Sequence, residues 1–545
     1  MSSSLRRAAA AASLVFTSLA VTACGAPVQS VHGETSTNVI RANTTDAAVG
    51  PLDTATWLIA KEPATSDFDD GASTSNTDIV MSNVCDKLIQ LGTDLTVQPS
   101  IATDWEWVSD SELVFTLRDD VIFHDGTRMT ADDVTWSMQR HMAEGAKQKN
   151  QFATVAGVRK TGDHQVTFDM KQRDAIITNS LANGAGVIWN RKVIEAQGDS
   201  FGTPAGVDAC SGPFTLQSWE SGSRIVLKKA ENYWNTERAA KTDEVIIKWG
   251  SDDAIANQLS TGAADGAYLE NLSIAANLIH RDDITVVQGE DTRVWNLMVT
   301  ERGALTDPRL RQALSLVLDR EGINTTAFSG LGPAWSQPIG SAVWSFERDK
   351  FEAADAELEF APVTVTDENI ARAKELVAEV GDTQEIVVAT DGEAIRSTLA
   401  EAVVSAGETI GLDVRILRIP TAQYGDYYGD DSVRGQADLF SDDFFVSTYD
   451  PVGFYKNGNS ESSVEWLLKD PEYDALIARA RAAMDDSERA DLEIELARRW
   501  NETLPWISAN ATPSTVAFSD EVTGVPASGI FRYYPWAADL GAAEE

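Results

Sequence analysis

Residues 99–140, PSIATDWEWVSDSELVFTLRDDVIFHDGTRMTADDVTWSMQR, constrain the fold of this chain more than any other stretch. Trp105 and Trp107 alternate with polar neighbours, Ser109-Asp110-Ser111 makes a polar turn, and Leu113, Phe115 and Leu117 resume the alternation. That period of two predicts a half-buried hairpin. A further apolar run, Val121 to Phe123, ends at the Asp125-Gly126 turn. Thr130 followed three residues later by Asp133 is a capping-box-like helix start, and Val134, Met138 and Met142 then fall on one helical face. The physical reading is a well-specified β-β-α unit, with no nucleophile, metal cluster or phosphate loop in it.

As a string the segment resembles the signature of the family 5 extracellular solute-binding proteins, the peptide/nickel-type receptors of ABC importers. That pattern runs "LA-x-x-W", "Y-x-F-x-LR", "V-x-FHDG" and "T-A-x-DV-x-(F/W)-S". Ile101, Ala102, Trp105, Phe115, Leu117, Arg118, Val121, Phe123, His124, Asp125, Gly126, Thr130, Ala131, Asp133, Val134, Trp136 and Ser137 match it. The resemblance implies an α/β, two-lobed periplasmic-binding-protein-like fold of type II, large, with an extra subdomain in lobe one.

The N-terminus has another character. Arg6 and Arg7 precede a largely apolar run from Ala8 to Ala23, which ends Val21-Thr22-Ala23-Cys24-Gly25. This reads as a secretory signal peptide with a lipobox-like end, which would make Cys24 the lipidated first residue of the mature protein; a plain signal peptide cut nearby, with Cys24 incidental, is the alternative. The run falls short of the ~20 apolar residues that a membrane span requires. Removal of residues 1–23 takes away two positive charges and no acid, so the formal charge goes from −40 to −42. Nucleic acid is excluded as a partner for so acidic a surface. After Cys24 only Cys85 and Cys210 remain. In an oxidising exterior two leftover thiols are more often paired than free, and two unpaired buried cysteines are the alternative.

Along the chain, residues 24–51 are rich in Ser, Thr, Asn and Asp and are expected to form a flexible tether. Lobe one is expected over 52–300, with the inserted subdomain at about 86–205, lobe two over 301–508, and a return to lobe one over 509–545. Residues 74–91 read as a helix carrying Cys85. Further blocks resemble the same family. Gly212, Pro213, Trp219, Asn232, Tyr233 and Trp234 match "GTGPY-x-(L/F)-x-x-W" and "NP-x-YW", with Cys210 in place of a Gly, which fits a bridge specific to a subgroup. Asp307 to Arg320 matches "D-x-R-x-RQAL-x-x-(A/L)-(I/L)-DR", which begins lobe two in the family and puts the hinge near 295–305. From Asn369 to Ile419 strand and helix alternate at α/β spacing.

Enzymatic readings lack local support. The five histidines, at 32, 124, 141, 164 and 280, make no H-x-x-x-H spacing, and there is neither a G-x-S-x-G elbow nor a GxxxxGK[ST] loop. His124 in Phe-His-Asp-Gly reads as a turn residue satisfying backbone groups. The cleft candidates are Trp295 and Asn296 on a crossing strand, Trp335 on a lobe-two loop, and Asp442, Asp443, Phe444, Phe445, Ser447, Tyr449 and Asp450 in the block that ends Asp-Pro. Peptide-binding members of the family place an Asp three residues before that Asp-Pro, where it holds the ligand's α-ammonium. Here that position is Ser447, and the usual Trp is Phe444. A buried ammonium needs a carboxylate partner, so either Asp442 or Asp443 takes the role or the ligand is not a free-amino-terminus peptide.

The resulting expectation is a non-enzymatic lipoprotein on the outer face of the cytoplasmic membrane, monomeric, with no cofactor and no metal site. It captures oligopeptides or a related small solute and hands them to an ABC permease. A metal chelate or another non-peptide solute is the alternative ligand, and a secreted glycosidase or other hydrolase the alternative of another class.

Overall fold

The computed structural model describes residues 39–544. The expected signal peptide, Cys24 and the tether as far as residue 38 lie outside the described residues.

The chain is built on two central sheets. In the first, eight strands lie in the order Ile40–Arg41, Ile284–Gly289, Ser514–Ser519, Gly266–Leu269, Leu52–Ile59, Thr242–Trp249, Arg224–Lys229 and Phe214–Glu220. This is lobe one. The second has five strands in the order Val414–Arg418, Ile386–Thr390, Leu439–Phe444, Val294–Val299 and Trp506–Ala511, and it forms lobe two. Helices cover its faces, among them Pro308–Val317, Ala394–Ile410 and Asp486–Thr503. Each sheet presents alternate residues to its two sides, which is how Trp295, Leu297 and Val299 enter one apolar core and Met298 enters another.

Two segments join the sheets. Residues 290–293 lead from Ile284–Gly289 to Val294–Val299, and residues 512–513 lead back from Trp506–Ala511 to Ser514–Ser519. They touch: the Thr512 N–H donates to the Arg293 carbonyl at 3.1 Å. The sequence put the crossings at 295–305 and near 509. The strand Val294–Val299 is buried throughout, its one polar residue Asn296 included, so no alternation of buried and exposed residues marks which sheet it serves. Pairing with Leu439–Phe444 and Trp506–Ala511 assigns it to lobe two.

The signature segment folds as a hairpin of Ala102–Ser109 and Glu112–Leu117, with Trp105 opposite Phe115 and Trp107 opposite Leu113. Gln165–Met170 and Val155–Gly162 extend it to a four-stranded sheet, against which the helix Ala131–His141 packs. Thr130 and Asp133 form the reciprocal cap at its start. Arg118 pairs with Asp120 and lies over the Trp234 ring at 4.6 Å, which ties this subdomain to the Asn232-Tyr233-Trp234 block. His124 is likewise structural, with Nδ1 2.5 Å from Asp208 and Nε2 2.9 Å from the Gly212 carbonyl. Burial alone lowers its pKa, and the Asp208 carboxylate outweighs that and raises it.

Two expectations are corrected. The helix read over 74–91 stops at Met81, and Ile89–Leu91 is a strand. The apolar spacing misled because residues 82–88 form buried turns: Asn83 bonds back to the Ile79 carbonyl and Lys87 donates to the Tyr533 carbonyl. The second half of the expected tether is also part of the folded body. Ile40–Arg41 pairs with Ile284–Gly289, Thr45 Oγ1 donates to the Val525 carbonyl and the Val49 N–H to Ala542. Backbone bonds hold this polar stretch, and composition does not reveal them. Cys85 and Cys210 are bridged across a separation of 125 residues. No described helix is long and apolar enough to cross a membrane.

Candidate functional site

A cavity of about 510 Å³ lies between the lobes, at the carboxyl end of the strand Leu439–Phe444. That is where open α/β sheets generally hold ligands. Lobe two supplies Phe444, Phe445, Val446, Ser447 and Thr448 from the loop leaving the strand, then Gly453, Lys456 and Asn457 from the short turns after Pro451. Lobe one supplies Thr74 and Asp78 at the helix Ser75–Met81, Lys147, Gln148 and Gln151 from the turn Lys147–Phe152, Asn183 and Gly184, and Tyr533.

The sequence candidates separate into groups. Phe444, Phe445 and Ser447 line this cavity, and Phe445 is 39% exposed, unusual for so large an apolar ring. Trp295 stands opposite Asp443 and Asn296 opposite Asp442 in the strand pairing. Asp443 is paired with Arg293. Asp442 accepts from the Tyr428 hydroxyl at 2.9 Å, and Arg396 lies 3.8 Å away. Burial and then the neighbouring Asp443 push the Asp442 carboxyl up. Arg396 also lies over the rings of Tyr424 at 4.6 Å and Trp295 at 5.8 Å. Asn296 is fully buried and donates to the Val294 and Pro338 carbonyls. Tyr449 is buried; Asp450 accepts from the Val452 N–H and pairs with Arg489 at 3.1 Å. Trp335 lines a different cavity, of about 350 Å³, beside the crossing segments, where its Nε1 donates to the Ile339 carbonyl.

Three lining residues escaped the sequence reading. Asp78 makes no ion pair among the described residues, and burial, opposed by Lys87, Lys147 and Arg532, raises its pKa to about 7. Lys456 likewise has no salt bridge among the described residues. Burial and the nearby Arg481 lower it to about 8, against a smaller upward pull from Asp174. Asn183 is 3% exposed; its Oδ1 accepts from the Ala185 N–H, and its Nδ2 has no hydrogen-bond partner among the described residues. Lys147, by contrast, is engaged, with Nζ 2.6 Å from the Ser73 carbonyl. Among the described residues no group of three His, Cys, Asp or Glu is placed to hold a metal ion.

Two lobes, two short crossings and an interlobe cavity define the architecture of a two-lobed binding protein. The solved structure of the ABC transporter substrate binding protein CtaP from Listeria monocytogenes shares it, with a TM-score of 0.77 over 91% of this chain and all of that one at 17% identity. NikZ from Campylobacter jejuni, solved in complex with Ni(L-His), gives a TM-score of 0.71 over 88% of this chain and 98% of that one at 19% identity. Residues 96–466 match the model of the bacterial extracellular solute-binding proteins, family 5, and the chain belongs to that family. The probable D,D-dipeptide-binding periplasmic protein DdpA of Escherichia coli is 26% identical over 418 residues, which is 74% of this chain and 78% of the relative.

Proposed function

We propose that this solute-binding protein is the receptor of an ABC importer and captures oligopeptides or a related small solute in the interlobe cavity. It is lipid-anchored through Cys24 after removal of residues 1–23, stands on the outer face of the cytoplasmic membrane, works as a monomer, and delivers its ligand to a membrane permease. The observation that carries the reading is the cavity whose wall is divided between two lobes joined by only two short segments. A solute that touches both walls has greater affinity for the approximated lobes, and that difference shifts the equilibrium toward closure. The permease then reads the closed form. No bond is made or broken in this cycle, in keeping with relatives that are named as binding proteins.

The test is native mass spectrometry of the gently purified mature protein, followed by denaturation and identification of what it releases. Peptide masses are the expected result. A single non-peptide mass redirects the specificity toward a chelate or another organic solute, and turnover of a glycoside or ester by the pure protein overturns the receptor reading.

A further inference from the structure

The charges of the cavity wall are divided between the lobes. Lobe one carries the Asp78 carboxylate and lobe two the Lys456 ammonium, and neither has an ion-pair partner among the described residues. Asp78 lines the cavity beside Gly184: a Cβ placed there would stand 3.5 Å from Asp78 Oδ1, an ordinary contact, and it is Phe68 Cδ1 at 2.9 Å and Gln148 Nε2 at 3.0 Å that a side chain would crowd. Next to it, the Asn183 amide, without a hydrogen-bond partner among the described residues, supplies a buried donor. A buried donor without a partner is costly in a folded protein; here that amide shares one space with a half-buried carboxylate and a half-buried ammonium, neither of them ion-paired among the described residues.

On the reading that this cavity is the ligand site, we infer that its ligand is a short peptide-like zwitterion, gripped by its ammonium at Asp78 and by its carboxylate at Lys456, with a carbonyl on the Asn183 amide. This assignment resolves the loss of an acid at Ser447. The ammonium partner comes from the opposite lobe, and Asp442 and Asp443 stay with Arg396, Tyr428 and Arg293. A ligand with its two charges on different lobes also draws them together, whereas a singly charged one of the same size does not.

Both grips titrate near neutrality. Asp78 holds a cation only when ionised, above about 7, in the company of Lys87, Lys147, Arg532 and Tyr533. Lys456 holds a carboxylate only when protonated, below about 8, beside Arg481 and Asp174. Retention is therefore greatest between those values.

The probe is a casein hydrolysate of short peptides, offered to the full mature protein in three forms: native, N-acetylated and carboxyl-esterified. Retained molecules are counted by mass spectrometry after dialysis. Retention from the native pool is expected to exceed that from either blocked pool by about tenfold or more. Asp78→Asn should abolish the discrimination against acetylated peptides and keep that against esters, and Lys456→Gln should do the reverse. Equal retention from all three pools, or variants that keep both discriminations, overturns the inference, and the pool comparison on the unaltered chain needs no variant to fold. A protein that takes nothing from the pools but releases another solute from its native host overturns the zwitterion and leaves the receptor reading standing. One that retains nothing from either source overturns both.

Discussion

Asp69 and Asp78 stand nine positions apart in lobe one, and the protein treats their charges in opposite ways. Asp69 belongs to a closed knot. Arg140 pairs with it and, at 2.6 Å, with Asp67, while the fully buried His141 sets Nδ1 2.7 Å from Asp69 and Nε2 on the Val187 carbonyl. Burial alone raises the Asp69 pKa, and His141 and then Arg140 outweigh it and hold the carboxyl below its usual range. Asp78 has cations only at a distance, and burial prevails. The first arrangement stabilises the chain with its own charges. The second keeps a carboxyl without an ion pair among the described residues at some cost to folding, as the proposed ligand grip requires.

The contrast can be stressed first through the covalent tie behind Asp78. Replacing Cys85 and Cys210 by serine releases a loop of 125 residues and should lower stability by about 4 to 5 kcal/mol in denaturant titrations. Hydrogen exchange should rise around Asp78 before it rises around Asp69; simultaneous loss of protection would show that the two regions are one cooperative unit. Arg140→Ala comes next, since it leaves Asp67 and Asp69 without their shared cation. The expected loss is about 3 to 5 kcal/mol, and a loss under about 1 kcal/mol would remove the distinction between knot and site.

The sharpest comparison is a pair of neutral isosteres with opposite signs. Asp69, depressed in the fold, contributes stability above its unfolded value near 3.8 and loses it as pH falls through the folded pKa, so Asp69→Asn should cost about 2 to 3 kcal/mol at pH 7. Asp78, raised to about 7, contributes below 3.8 and loses its contribution as pH rises through 7. At pH 8 the ligand-free Asp78→Asn protein should be about 1 to 2 kcal/mol more stable than its parent, less than the shift alone implies because Lys87 loses a favourable neighbour. Thermal melts at pH 4 and pH 8 check both signs, and a destabilised Asp78→Asn at pH 8 refutes the contrast. The smallest effect on folding is expected for Phe445→Ala, about 0.5 kcal/mol, because the ring is 39% exposed on the cavity wall. Its effect should appear in affinity, and unchanged affinity would remove Phe445 from the site.

The scaffold was far more legible than the site. Trp105, Phe115 and the Thr130 cap announce their elements through spacing, because local periodicity is how a hairpin and a helix bury one face. Phe444, Phe445 and Ser447 could be picked out as candidates because one continuous block carries them to the cavity. Asp78, Asn183 and Lys456 could not, since they come from three stretches that only the tertiary fold brings together. Lys456, five residues beyond the Asp-Pro block, was the nearest to a signal. The tether and the crossings failed for another reason: backbone pairing decided both, and backbone pairing leaves little trace in side-chain chemistry.

The order of strands in lobe one also fixes an order of events in time. Ser514–Ser519 lies between Ile284–Gly289 and Gly266–Leu269, inside the eight-stranded sheet. A ribosome supplies that strand after every strand of lobe two. Lobe two, contiguous from Val294 to Ala511, has all its strands beforehand, while lobe one waits with the third of its eight strand positions empty. The first lobe therefore cannot complete its sheet until every strand of the second has been made.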